Sequence, residues 1–313
     1  MKIAVLGAGA MGSLFGGLLA ESGQAVTLID VNDAHVGAVR EHGLRLETDA
    51  GDRRLDGLHA CRPEQAEAAP DLLLIFTKTL HTAAALEAVA HIIAPHTLVL
   101  TLQNGLGNVE TVRRHVPEDR ILVGVTTWPA DYVGPGHVRS HGAGMVRIMA
   151  ADGRDDPLVR SVVRVLGGAG LNGDIDPQVW KAIWEKVAFN AALNGICAVT
   201  GCSVDQVGAI PQGMVLASSV VAEVVAVARA EGVDADADRC CRTVADAVAR
   251  HLGHKPSMLQ DVLAGRPTET DAIHGAVVER ARKHGLAVPC TETLLQLVRL
   301  IEARNRSSQA TGA

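Results

Sequence analysis

Ile3-Ala4-Val5-Leu6-Gly7-Ala8-Gly9-Ala10-Met11-Gly12 decides how this chain folds. Four apolar residues run into G-x-G-x-x-G. Met11, Leu14, Phe15, Leu18 and Leu19 then recur on one face of a helix. A strand before and a helix after separate a dinucleotide fingerprint from a glycine-rich turn. In that reading Gly7 makes the tight turn, Gly9 lets the backbone approach a pyrophosphate, and Gly12 lets the helix pack close to the sheet. Ala8, Ala10 and Met11 complete the loop, and the helix N-terminus offers free N–H groups and a positive dipole. Asp30 follows a second strand, Ala25–Ile29. A carboxylate there accepts both ribose hydroxyls and repels a 2′-phosphate. No Arg occurs in Val31-Asn32-Asp33, so the stretch favours NADH over NADPH. The alternative is that Asp30 only caps the next helix, as Asn32 or Asp33 would.

Outward from the loop, strand and helix signals alternate. Apolar runs at 72–77, 98–102 and 121–125 read as strands buried on both faces. Such alternation implies parallel βαβ units, a Rossmann-type α/β fold. Gly134-Pro135-Gly136 breaks the pattern, and 137–149 reads as a hairpin at the sheet edge. Beyond about residue 155 helical patterns dominate, at 157–168, 177–199, 212–232, 236–252, 269–284 and 291–304. The expected division is a dinucleotide-binding domain at 1–168, a mainly helical substrate and catalytic domain at 169–304, and a disordered polar tail at 305–313.

Composition narrows the function classes. A chain of 313 residues suits two domains. A net charge of −6 lacks the basic footprint of nucleic-acid binding, and 2% aromatics leave little to stack on bases. The six Cys show no CxxC and no matching Cys/His pair, so they read as reduced thiols of a cytoplasmic protein without a metal site. The apolar stretch at 214–228 contains Ser218, Ser219 and Glu223 and is short for a bilayer, so no membrane segment is expected. Val220, Val221, Val224 and Val225 in the same stretch read either as core or as a homodimer face.

Lys186, Asn190 and Asn194 stand at i, i+4 and i+8, one above another on a helix. Their neighbours Trp180, Ile183, Trp184, Val187, Phe189 and Leu193 are apolar. A polar stripe in that setting is costly unless it faces a cleft, although spacing alone also allows a solvated face. The chain uses six Lys against 23 Arg. Lys can release a proton near neutral pH once its pKa is lowered, and Arg cannot. Ser257 with Gln260 reads as a capping box, and Glu269 as a first-turn acid after Thr268. Asn104 and Lys78 each follow a strand at its carboxyl end, where open α/β sheets bind ligands.

Together these segments resemble the ketopantoate reductase family, the 2-dehydropantoate 2-reductases, over residues 1–304. The matches are GAGAMG at 7–12, TK at 77–78, QNGLG at 103–107, GPGHV at 134–138, WEKVAFNAALN at 184–194, and PSMLQD with TETDAIHG within 256–275. The resemblance implies NAD(P)H-dependent reduction of a branched 2-oxo acid, ketopantoate to pantoate in pantothenate biosynthesis. It implies Lys186 as general acid, with Glu269 hydrogen-bonding near the lysine, substrate and cofactor. Asn190, Asn194 and Ser257 are implied as substrate ligands, and Asn104 and Lys78 as cofactor-side and cleft contacts, Asn104 also towards substrate. Three departures stand out: Asp30-Val31-Asn32 where NADPH users carry a basic residue, Trp128-Pro129 after Thr-Thr, and Gly195 where Pro often follows the second Asn. They look more like a branch of NAD-dependent D-2-hydroxyacid dehydrogenases of the D-mandelate type, which act on bulky 2-oxo acids.

Overall fold

Leu72–Ile75 and Leu98–Thr101 have every residue buried, as unbroken apolar strands should inside a parallel sheet. A computed structural model describes residues 1–311 and places these strands at the centre of an eight-stranded sheet. In chain order its strands are β1 (Lys2–Leu6), β2 (Ala25–Ile29), β5 (His59–Cys61), β6 (Leu72–Ile75), β7 (Leu98–Thr101), β8 (Ile121–Thr126), β11 (Val146–Ala150) and β12 (Gly173–Ile175). Across the sheet the order is β12-β11-β8-β7-β6-β1-β2-β5. The six strands from β8 to β5 run parallel, and β11 pairs antiparallel to β8. β1 lies between β2 and β6, so the strand order reverses beside it. Open α/β sheets bind ligands at that reversal, and the glycine loop leaves the carboxyl end of β1 there.

A smaller sheet, β4-β3-β10-β9, combines two hairpins. β3 (Leu44–Thr48) pairs antiparallel to β4 (Gly51–Leu55), and β9 (Asp131–Gly134) to β10 (His137–Ser140). β3 and β10 run parallel and join the two. The hairpin expected at 137–149 is therefore resolved differently. Gly136 turns the chain between β9 and β10 in the small sheet, while 146–150 is the separate strand β11 of the large one. Helices α1 (Ala10–Glu21) and α2 (Asp33–His42) follow β1 and β2. α3 (Thr82–Ala88), α4 (Asn108–Val112) and α5 (Pro157–Gly168) complete the unit.

The helical unit holds α6 (Val179–Thr200), α7 (Val204–Gly208), α8 (Pro211–Ala230), α9 (Ala237–Arg250), α10 (Ser257–Leu263), α11 (Ala276–Lys283) and α12 (Pro289–Thr311). A π-helical turn, Asp271–Gly275, precedes α11. Val220, Val221, Val224 and Val225 are 0–2% exposed within the single chain, so they are core rather than a face awaiting a second copy. α8 is the one described helix long and apolar enough to cross a membrane, and those valines pack inside the protein. The described cysteines are free thiols.

Two expected boundaries move. The compact units divide at Val179/Trp180, not at 168/169, because β12 pairs with β11 and keeps residues 173–175 in the sheet. Residues 104–107 belong to the helical unit. The expected disorder at 305–313 is replaced by helix through Thr311, while residues 312–313 lie outside the described ones. Asn305 donates to the Val262 carbonyl of α10 at 3.1 Å, and Arg306 pairs with Glu302 one turn back. Those contacts hold a polar segment in helical form.

Candidate active site

Gly7 has φ +94°, and a Cβ there would sit 2.5 Å from the Thr77 amide nitrogen. Only glycine meets both demands. A Cβ at Gly12 would collide with the Gly7 carbonyl, whereas one at Gly9 would meet nothing within 4 Å. The loop is thus closed beneath the helix and open above Gly9. Gly9 is also the N-cap of α1, and no side chain caps that helix end. Bare N–H groups at an open helix start are what a pyrophosphate needs, so the loop fits a dinucleotide.

Asp30 takes no helix-cap role. Asn32 is the N-cap of α2 and accepts the His35 amide at 3.2 Å, while Asp30 accepts the Asn32 amide at 2.9 Å. Tyr132, the only tyrosine in the chain, stands 41% exposed, its hydroxyl facing Asp30 and Asn32. Burial and the Asp30 charge push its phenol up, and a hydrogen bond with Asn32 opposes them. An arginine also reaches this corner. The Arg62 guanidinium donates to the Val31 carbonyl at 3.1 Å and to Asp33 at 2.8 Å, and it pairs with Glu64. It lies outside the 31–33 stretch, because Arg62 arrives from the end of β5, far along the chain. Its charge is engaged by two carboxylates.

Lys78 begins the short turn Thr79–His81 after β6, and its side chain is half-buried. Beside it, Gln103 at the end of β7 donates to the Thr77 carbonyl at 2.6 Å and to the Thr82 hydroxyl at 2.7 Å. Gln103 therefore ties together the two strand ends from which Lys78 and Asn104 emerge. No local pattern marks Gln103, since its partners come from the end of another strand. Trp128 packs against the sheet core and donates from Nε1 to the Leu171 carbonyl at 2.9 Å.

In the helical unit α6 carries Lys186, Asn190 and Asn194 on one face. Asn190 and Asn194 are 8% and 6% exposed. Neither amide is among the enclosed polar atoms left without a partner, so the two side chains lie in a nearly buried setting with their polar ends still reachable. Burial pushes the Lys186 ammonium down to about 8, and the Glu269 carboxylate beside it pulls the other way. Glu269 also accepts a hydrogen bond from the Asn104 amide at 3.3 Å. Asn104 reaches it because the 104–107 segment docks on the turn after Glu269. The Leu106 amide donates to the Ala272 carbonyl at 2.9 Å, and a Cβ on Gly105 would sit 2.6 Å from that carbonyl oxygen.

The π-helical turn fixes the same group from below. His274 is fully buried, with its Nε2 3.0 Å from the Ala191 carbonyl and its Nδ1 3.2 Å from the Thr270 hydroxyl. A carbonyl only accepts, so Nε2 carries the proton and Nδ1 accepts from Thr270. Burial pushes this imidazole down to about 4, which keeps it neutral. A Cβ on Gly195 would sit 2.5 Å from His274 Nε2. Gly195 is thus the space that lets His274 hold α6 between Asn190 and Asn194. No local pattern marks His274, since its partners lie on other turns. Ser257 differs from expectation. It is the first residue of α10 after the N-cap Pro256, makes no capping bond, and is exposed. Gln260 donates instead to the Lys255 carbonyl. Among the described residues no group of three or more His, Cys, Asp or Glu could hold a metal ion.

An open parallel sheet with a bare glycine loop, in a chain with a low-pKa lysine on a buried polar stripe, defines a Rossmann-type oxidoreductase. Two family models match: "Ketopantoate reductase PanE/ApbA" over residues 3–153 and its C-terminal domain over 178–302. The chain belongs to the ketopantoate reductase family and is an NAD(P)-dependent oxidoreductase acting on a CH–OH group. A 2-dehydropantoate 2-reductase of Halobacterium salinarum is 37% identical, covering 96% of this chain and 99% of its own length. One from Streptococcus pyogenes is 33% identical, covering 97% and 98%. Among solved structures, a D-mandelate dehydrogenase with NADH and anilino(oxo)acetate superposes with TM-score 0.93 at 31% identity, covering 98% of this chain and all of its own. A ketopantoate reductase of Ralstonia eutropha gives 0.89 at 33% identity, again covering 98% and 100%.

Proposed function

We propose that this protein reduces a branched 2-oxo acid, ketopantoate in the first instance, with Lys186 as the proton donor and NADH as the preferred cofactor. The observation that carries the reading is the polar row on α6, where Lys186, pushed down to about 8, shares a face with the nearly buried Asn190 and Asn194. Polar groups in so apolar a setting are costly, and the carboxylate and hydroxyl of an oxo acid would give these amides hydrogen-bond partners. Lys186, poised near 8, is mostly protonated at neutral pH and still able to give its proton away. It stabilises the oxyanion that develops at the substrate C2 oxygen and then protonates it. Glu269 and Asn104 hold the ammonium side of the site in place through their shared hydrogen bond. When bound, the reduced nicotinamide supplies the hydride. Ser257, exposed at the start of α10, is assigned to substrate on the family resemblance.

The preference for NADH rests on Asp30, with Asn32 and the Tyr132 hydroxyl crowded beside it. A 2′-phosphate would meet a carboxylate there, and the nearby Arg62 is held by Asp33 and Glu64. The same corner favours a second reading, an NADH-dependent D-2-hydroxyacid dehydrogenase acting on bulky 2-oxo acids. Initial rates in a grid of NADH or NADPH against ketopantoate or benzoylformate separate them. A kcat/KM maximum with ketopantoate supports the first reading, and one with benzoylformate and NADH the second. No turnover with either acid sinks both.

A further inference from the structure

Two polar side chains are fully buried between α1, α2 and the β9–β10 turn. Ser13 is 0% and His35 1% exposed. The Gly136 amide donates to His35 Nδ1 at 3.0 Å. Nδ1 is therefore an acceptor, and the ring proton sits on Nε2. Nε2 lies 3.0 Å from the Ser13 hydroxyl, and that hydroxyl donates to the Ala8 carbonyl at 2.7 Å. The three bonds run in one direction, Gly136 to His35 to Ser13 to Ala8, and only a neutral imidazole with this tautomer completes them. Burial keeps the ring below the ordinary histidine range, with the Asp30 charge opposing. Tyr132 of β9 packs on the same ring, centroids 5.4 Å apart.

The last bond in the chain touches the dinucleotide loop itself. The Ala8 carbonyl and the Gly9 N–H belong to one planar trans peptide and point opposite ways. Holding the carbonyl inward at Ser13 turns the Gly9 N–H outward, and Gly9 is the loop residue with no atom within 4 Å of a would-be Cβ. We propose that His35 is a positioning residue for the cofactor: through Ser13 it locks the Ala8–Gly9 peptide with its N–H presented to the pyrophosphate. The lock is anchored on the β9–β10 turn at Gly136. This rests on the reading of the glycine loop as the nucleotide site.

The test is direct titration of NADH into wild type, Ser13→Ala, His35→Phe and the double variant, with kcat measured at saturating NADH. Each single change is expected to raise the Kd for NADH about fivefold, the worth of one ordinary hydrogen bond. The double variant is expected to be no weaker than the weaker single, because both break one chain. kcat at saturation should stay within about twofold, since the lock acts on binding and not on the reacting atoms. Equal Kd in wild type and Ser13→Ala overturns the proposal, as do effects that multiply in the double variant. Should His35→Phe not fold, Ser13→Ala, which removes one oxygen, decides alone. Wild type that binds neither NADH nor NADPH removes the nucleotide reading and the lock with it. Binding in wild type with an unchanged Ser13→Ala removes the lock only.

Discussion

The glycine loop and the α6 stripe meet their tasks in opposite ways. At Gly7, Gly9 and Gly12 the chain works by leaving side chains out, so that backbone N–H groups are reachable and α1 sits close to β1. On α6 it works by putting polar side chains where an apolar helix would be more stable, among Trp184, Val187 and Leu193 at 0–3% exposure. The first region is harmed by added atoms and the second by removed ones. The first is compatible with stability, because a tight turn and close packing also serve the fold. The second opposes it, because an ammonium and two amides held among apolar side chains give up part of their solvation. The proposed function gives α6 a reason to carry those residues.

The largest effect should therefore come from removing an atom group on α6. Lys186→Ala is expected to lower kcat by about two orders of magnitude or more, with NADH affinity by titration unchanged. Near-normal turnover would show that the stripe is structural. The pH profile sharpens this. With its pKa at about 8, Lys186 is protonated below that pH and neutral above it. The proposed reduction draws on the ammonium, so kcat/KM should be level below about 8 and fall as pH rises through it. Oxidation needs the free amine and should rise over the same interval. A reduction profile that stays level to pH 10 would place the proton donor elsewhere.

One position on α6 breaks the simple contrast, because it is also sensitive to an added atom. Gly195→Ala would push a methyl to 2.5 Å from His274 Nε2 and move that ring off the Ala191 carbonyl. Overpacking of this kind costs about 1–3 kcal/mol, read as a lower Tm. The displaced helix turn should take Asn190 and Asn194 with it and raise KM for the oxo acid. A normal Tm and KM would mean that the His274 bond does not hold the stripe in register.

How much of this was legible beforehand follows from the range of the contacts. The loop, its strand and its helix are local, so residues 3–19 suffice to announce them. The stripe is legible because its members are four apart on one helix. β4 was not, since Gly51-Asp52-Arg53-Arg54-Leu55 is nearly all polar and gains its place from cross-strand pairs such as Arg45 with Asp52. The helical tail was missed for the same reason, Asn305 finding its partner on α10. His274 with Ala191 and His35 with Gly136 are long-range bonds of single polar groups, and no periodicity records them.

The smallest and most discriminating change is at the ribose corner, where both kinds of sensitivity meet. Asp30→Ala removes a carboxylate that would repel a 2′-phosphate and also removes the acceptor of the Asn32 amide. kcat/KM with NADPH is expected to rise roughly tenfold, the scale of one relieved like-charge contact, while that with NADH falls several-fold. Arg62 then becomes the natural phosphate ligand, but Asp33 and Glu64 still hold it. Adding Asp33→Ala should therefore raise NADPH use further, by freeing one face of the guanidinium. An unchanged NADH to NADPH ratio in both variants would reduce Asp30 to the acceptor of a local turn. The selectivity of the pocket would then rest on the crowding by Tyr132 alone.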